Sequence, residues 1–235
     1  MPVKEFHTAW WVRWLGRPFI RVVLGLVFHI LARVKVTGKD NVPLGKPYIV
    51  AINHVSLFDP PLAGVFWPEQ VEAMGAVDVW SRPGQGILAR MWGGIPVHRG
   101  DYDRSMFEKV LAVLRSGYPL LIAPEGGRSH APGMQVAKPG IAYLVEQSGV
   151  PVMPVGIVGT TDDFLNNALR GKRPQVEMHI GKPIQLPRIE SKGADRREAR
   201  QANTDLIMRQ IALLVPENYR GVYADGTSLP KPEAG

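Results

Sequence analysis

No cysteine occurs in the 235 residues, which removes disulfides, thiolate metal sites and acyl-cysteine chemistry together. A nucleophile in this chain is not sulfur. Acids are the scarcer charge, 21 Asp and Glu against 28 Lys and Arg for a net charge of +7, so an anionic partner is expected, either nucleic acid or an acidic lipid surface. Nucleic acid lacks its usual marks: there is no helix-turn-helix, RNA-recognition or zinc-finger pattern to organise the charge. Neither a Walker A loop nor a Rossmann fingerprint is present. The six histidines show no ligand spacing, and no metal is expected. Long uninterrupted apolar runs are missing too. The longest, residues 19–31, is broken by Arg21 and His29, whereas a spanning helix wants roughly 20 consecutive apolar residues. There is no internal repeat, low-complexity stretch or Gly/Ser linker. What the chain does have is 45% hydrophobic residues with 21% charged, enough to bury the core of one domain and to exclude disorder as its main state.

The charge excess is concentrated at the N-terminus. Within residues 1–35 the basic residues are Lys4, Arg13, Arg17, Arg21, Arg33 and Lys35, and the only acid is Glu5. They interleave with Trp10, Trp11 and Trp14 and with the apolar run. At 100° per residue, Arg21, Gly25, His29 and Ala32 share one side, while Val22, Val23, Leu26, Val27 and Ile30 cover much of the remainder. Such an amphipathic helix suits a bilayer interface, where each basic residue near an anionic surface adds about 1 kcal/mol. It equally suits a helix docked on the domain's own core. The tryptophans ahead of the run, and no small-residue cleavage site after it, argue against a signal peptide.

From residue 34 onward, β-rich runs alternate with helical stretches. Strands are expected at 34–38, 47–52, 71–76, 94–97, 119–123, 152–158 and 175–180, and helices at 61–67, 85–92, 103–116, 140–147 and 194–214. That alternation reads as an α/β domain with a central, largely parallel or mixed sheet flanked by helices. The expected organisation is an N-terminal interfacial helical segment over 1–33, the domain over 34–215, and a loose Pro- and Gly-rich tail over 216–235.

Three of the apolar strands run straight into polar clusters: Asn53-His54 through Asp59, His98-Arg99, and Pro124-Glu125-Gly126-Gly127-Arg128-Ser129. In open α/β sheets ligands bind beyond the carboxyl ends of the strands, so these clusters converge if their strands are parallel neighbours. A tight turn can bring Asp59 to His54. The carboxylate then fixes the tautomer and frees the other ring nitrogen to take a proton from a hydroxyl. The alternative is that Asp59 caps the helix opened by Pro60-Pro61 and His54 is an ordinary core histidine. Ser56 can cap as well, and no G-x-S-x-G elbow surrounds it. Arg99 offers a fork of donors suited to a phosphate, and Arg128 a second cation. The Gly126-Gly127 pair allows close backbone approach. Glu125 suits either substrate hydroxyls or anchorage of its loop.

Taken in order, these residues resemble the glycerolipid acyltransferases typified by 1-acylglycerol-3-phosphate (lysophosphatidic acid) acyltransferase. Asn53-His54 to Asp59 matches that family's N-H-x4-D. Gly94-Ile95-Pro96-Val97-His98-Arg99 is similar to its second block, Pro124 to Ser129 to its P-E-G-T-R-S, and Val150-Pro151-Val152-Met153-Pro154-Val155 to its apolar fourth block. Gly133 and Lys138-Pro139-Gly140 fit the stretch that follows the third. Gly127 stands where the family usually has Thr, and Ala137 where it has an aromatic residue.

The resemblance covers roughly residues 35–187. It implies transfer of an acyl group from acyl-CoA or an acyl-carrier-protein thioester, with no other cofactor, to the hydroxyl of a lysophospholipid, foremost 1-acylglycerol-3-phosphate. In that scheme His54 and Asp59 are catalytic, while Arg99, Glu125, Gly126 and Arg128 bind substrate. Asn53, Ser56, Gly127 and Lys138 support them. The implied location is the surface of an anionic membrane, peripheral or monotopic, at its cytoplasmic face. Three other readings stay open: another hydroxyl acceptor such as an acylated amino-acid lipid, a His-Asp thioester hydrolase using water, and a non-catalytic lipid-surface module in which His54 and Asp59 point apart.

Overall fold

In the computed structural model, which describes residues 8–98 and 104–224, seven short strands form one mixed sheet. A π-helical turn at Val12–Gly16 leads into α1 (Arg17–Leu31), followed by β1 (Arg33–Thr37), β2 (Ile49–Ile52), α2 (Asp59–Phe66), β3 (Glu72–Ala76), α3 (Gln85–Trp92) and β4 (Ile95–Val97). The chain continues through α4 (Arg104–Arg115), β5 (Leu120–Ile122), α5 (Gly140–Ser148), β6 (Val152–Val158), α6 (Phe164–Leu169), β7 (Gln175–Ile180), α7 (Gly193–Ala212) and α8 (Glu217–Arg220). The strand order is β1-β7-β6-β2-β5-β3-β4. Neighbours are parallel except β6 and β7. The expected α/β architecture is what forms. The unforeseen elements, α6 and α8, are too short to show an apolar period.

β2 sits mid-sheet between β6 and β5, and all four of its residues are buried. Alternation sends Ile49 and Ala51 into a core layer with Val110 of α4, Ile141 of α5 and Ile207 of α7. Val50 and Ile52 enter the opposite layer with Phe28 of α1, Leu62 of α2 and Phe164 of α6. Burial on both faces is why the strand reads as a continuous apolar run.

The N-terminal helix corrects one expectation. Arg21, Gly25 and Ala32 lie on the domain side as the periodicity groups them, His29 is exposed, and the cations bond to protein groups. Arg17 is fully buried: Nη1 donates to Glu72 Oε1 at 2.8 Å, Nη2 to Glu72 Oε2, and Nε to the Trp92 carbonyl at 2.8 Å. Arg13 donates to the same Glu72 Oε1 at 3.2 Å and lies over the Tyr118 ring, 3.9 Å from its centroid. Arg21 donates to the Trp67 carbonyl. The physical reason is Glu72, itself buried at the start of β3, whose charge needs opposite partners and hydrogen bonds to be tolerated there. These three arginines are therefore engaged by protein groups. The apolar side points the other way. Trp10, Trp14, Leu15, Phe19, Val22, Leu26 and Ile30 are each 60% exposed or more. Residues Val12–Leu31 are long and apolar enough to cross a membrane.

The C-terminal stretch is also corrected. It was expected to be loose from residue 216, but it is ordered on the domain as far as Ala224. Tyr219 and Tyr223 are buried. The Tyr219 carbonyl accepts from Met134 N at 3.0 Å, the Tyr223 hydroxyl accepts from Ala137 N at 3.0 Å, and Val222 N donates to Met134 O at 3.1 Å. Two aromatic anchors in a polar stretch suffice to hold it, because each buries a ring and satisfies a loop amide. Residues 225–235 lie outside the described residues.

Candidate active site

β2 and β5 are parallel neighbours, so the polar residues that follow them leave the sheet at the same edge. Two backbone bonds join their loops: Ser129 N donates to His54 O at 2.9 Å, and His130 N to Val55 O at 3.2 Å. β6, on the other side of β2, delivers Gly159 and Thr160 to that edge as well.

Asn53 extends β2 by one step. Its Nδ2 donates to Ile157 O at 2.9 Å and its Oδ1 accepts from Ile157 N at 2.7 Å, so a side-chain amide imitates a ladder pair with β6. The next residue, His54, is thereby held at the rim with its side chain 13% exposed. Its Nδ1 is 3.0 Å from Asp59 Oδ2. Asp59 opens α2 and is fully buried, but it does not cap that helix. Its carboxylate turns back toward the strand end. Oδ2 also accepts from Ser56 N at 2.7 Å, and Oδ1 accepts from the Thr160 hydroxyl. Ser56 accepts from Phe58 N at 3.1 Å through its own Oγ, so it shapes the turn and is no free nucleophile. With Asp59 an acceptor, Nδ1 carries the proton and Nε2 is the basic nitrogen. Nε2 makes no hydrogen bond among the described residues. That is the geometry of a general base for a hydroxyl, and it disposes of the reading in which the pair points apart.

The loop after β5 is anchored by Glu125. One oxygen accepts from His54 N at 2.8 Å and the other from Gln135 N at 2.8 Å, and the side chain is buried. Glu125 thus anchors its loop, each oxygen engaged by a backbone amide. Burial pushes its carboxyl up to about 7 from an ordinary 4.5, against the pull of its two N–H donors and with a contribution from the nearby Asp59 charge. The sign of the consequence is fixed by linkage. Between about pH 4.5 and 7 the folded state holds this proton more tightly than the unfolded chain, so Glu125 stabilises at low pH and loses that contribution as pH rises through about 7. Glutamine, a neutral stand-in for the protonated acid, does not titrate. The stability of the wild type relative to Glu125→Gln is therefore expected to fall by up to about 3 kcal/mol from pH 4.5 to 8. Denaturant midpoints of the two proteins across that range check it, and a constant difference would mean the carboxyl titrates alike in the folded and unfolded chains.

The remaining site residues divide. Gly126 has φ +71°, a conformation side chains resist, and the Lys138 chain lies against it, with Cδ 3.3 Å from where a Cβ would sit. Lys138 N donates to Pro124 O at 2.9 Å, and its side chain is exposed. Nothing lies within 4 Å of a Cβ built on Gly127, so the threonine usual in the family would fit without displacement. Arg128 is half-buried and has no hydrogen bond or ion pair among the described residues, leaving its guanidinium available to an anion. β4 lies at the sheet edge beyond β3, with His98 exposed just past its end. Arg99 lies outside the described residues.

Two residues that the sequence did not single out belong here. Thr160 follows an apolar run whose parallel pairing with β2 makes its end part of the same edge, and that position was the available signal. Tyr219 gave none: its hydroxyl accepts from Gly159 N at 3.0 Å from within the stretch expected to be loose.

An α/β domain with a buried-acid histidine pair at its strand ends, and a glycine-rich loop pinned beside it, defines the class. Residues 33–158 match the family model described as Acyltransferase. The chain belongs to that family, and it is an O-acyltransferase of the glycerolipid type. Lyso-ornithine lipid O-acyltransferase of Pseudomonas aeruginosa is 30% identical over 93% of this chain and 84% of that protein. The 1-acyl-sn-glycerol-3-phosphate acyltransferase of Borreliella burgdorferi is 25% identical over 63% of this chain, which spans 60% of that relative's length. In fold, the chain resembles the crystal structure of the 1-acyl-sn-glycerophosphate acyltransferase of Thermotoga maritima. The TM-score is 0.59 at 22% identity, covering 81% of this chain and 78% of that one.

Proposed function

We propose that the protein transfers a fatty acyl group from an acyl-CoA or acyl-carrier-protein thioester to the hydroxyl of a lysolipid, with 1-acylglycerol-3-phosphate as acceptor. The observation that carries this reading is His54 Nδ1 held 3.0 Å from the buried Asp59 carboxylate. Nε2 of His54 removes the proton of the acceptor hydroxyl as its oxygen bonds to the thioester carbonyl carbon. The tetrahedral intermediate then expels the thiolate, and the imidazolium returns the proton to it, giving ester and free thiol. The Asp59 carboxylate steadies the positive ring. Arg128 and Lys138 offer cations to an anionic headgroup at the glycine-rich loop, and Arg99 is assigned the same role on the resemblance of its block alone.

A second acceptor, lyso-ornithine lipid, is favoured by the relative that aligns with 93% of the chain. The deciding experiment is incubation with labelled acyl-CoA and each acceptor in turn, with lipid products resolved. Acylation of 1-acylglycerol-3-phosphate is the expected result. Acylation of lyso-ornithine lipid alone would transfer the assignment to it, and free fatty acid without an acceptor product would make the protein a hydrolase.

A membrane-surface location completes the reading. The exposed Trp14, Phe19, Leu26 and Ile30 form an apolar stripe on the outer side of the N-terminal helix. A stripe of that kind lies in the headgroup boundary. A helix that crossed the bilayer would have to leave the domain and strand Arg17 without Glu72.

A further inference from the structure

We propose that Thr160 is a positioning residue for the catalytic pair, the third member of a His54–Asp59–Thr160 chain, and that the C-terminal strap sets it through Tyr219. The inference rests on the acyl-transfer reading above. Asp59 is fully buried, and a carboxylate in that setting must have its lone pairs satisfied or it will rotate or take up a proton. His54 Nδ1 and Ser56 N both address Oδ2. The other oxygen, Oδ1, is engaged by the hydroxyl of Thr160, which is itself fully buried. Its donor therefore fixes the carboxylate's rotation about its own axis and with it the plane presented to the imidazole.

Thr160 can do this because of where its turn is held. Gly159 has φ +88°, and a Cβ built there would come 2.1 Å from the Gln175 carbonyl, so the chain passes close to the start of β7. The amide of Gly159 donates to the Tyr219 hydroxyl at 3.0 Å. Tyr219 in turn packs with Val55 and Val215 in a small buried cluster. A segment far along the chain thus fastens the loop that holds the acid that holds the base.

The experiment compares Thr160→Ser, Thr160→Ala and Thr160→Val in the full-length protein, with His54→Ala in parallel, using labelled acyl-CoA and the acceptor the panel selects. Serine and alanine both lose the methyl group and differ only in the hydroxyl, whereas valine keeps the volume and loses the hydroxyl. The expected result is kcat near wild type for serine and lower by about tenfold or more for alanine and valine. KM for donor and acceptor should be little changed in all three, because no substrate contact is removed. Equal kcat in the serine and alanine variants, or a valine variant with wild-type kcat, would overturn the proposal. So would failure of both alanine and valine to fold beside a folded serine variant, since the hydroxyl would then serve the fold. A His54→Ala protein with normal turnover brings down the acyl-transfer reading itself; loss of turnover there with an active valine variant brings down only the role of Thr160.

Discussion

Replacement of His54 by alanine is expected to lower kcat by about 10²- to 10⁴-fold while the protein keeps its circular dichroism and thermal midpoint. The magnitude is that of positioned general-base catalysis. The fold should survive because the imidazole sits at the rim, while its backbone does the structural work: its carbonyl accepts from Ser129 N and its amide donates to Glu125. Alanine keeps both. Asp59→Asn is expected to lose activity too, since an amide can present its NH2 group to Nδ1 and hold the ring in the wrong tautomer. Single-turnover and steady-state rates on the selected acceptor measure both. A folded His54→Ala protein with near-normal turnover would falsify the assignment of the base.

Breaking the ion pair under the N-terminal helix should have the largest effect on stability. In Glu72→Gln the Arg17 guanidinium keeps its full burial but loses its charge partner, a defect of about 3–5 kcal/mol. A fall in thermal midpoint on the order of 10 °C is expected for a domain of this size. The double variant Arg17→Met, Glu72→Leu, which removes both charges, should recover most of it, and a double-mutant cycle by thermal melting reads the coupling. A Glu72→Gln protein with an unshifted midpoint would show that the helix is held by its apolar contacts alone. The outer side of the same helix is tested with lipid. Replacing Phe19, Leu26 and Ile30 with serine should release the protein from vesicles in a sedimentation assay. The wild type should bind neutral phosphatidylcholine vesicles with little salt dependence, because Arg13, Arg17 and Arg21 are turned to the domain. Strong dependence on anionic lipid would point to cations elsewhere on the surface.

The helix shows how sequence and structure divide the information. Periodicity placed Arg21, Gly25, His29 and Ala32 on one side and Val22, Val23, Leu26, Val27 and Ile30 on the other, and the structure keeps that division except at His29, which is exposed. Which side meets the protein was not legible, because Ile20 and Phe28 are buried there together with Arg17, whose charge is met by one acid on a distant strand. Glu72 lies 55 positions from Arg17, and nothing local in either stretch announces the partner. Glu125 followed the same course. Its place at a strand end was readable, but its role turned on the amides of His54 and Gln135, which only the folded loop brings to its two oxygens.

The sequence by itself determined the alternation of strands and helices and the α/β class, and it offered His54 and Asp59 as a short-range candidate pair. Each of these rests on side-chain pattern or on a turn of a few residues. Tertiary structure alone decided the strand order, the placing of Thr160 against Asp59, the strap of Tyr219 and Tyr223, and the inward facing of the arginines. Those depend on burial. A buried charge or donor must find its partner wherever the chain supplies one, and the separation between partners along the sequence carries no signal of the match.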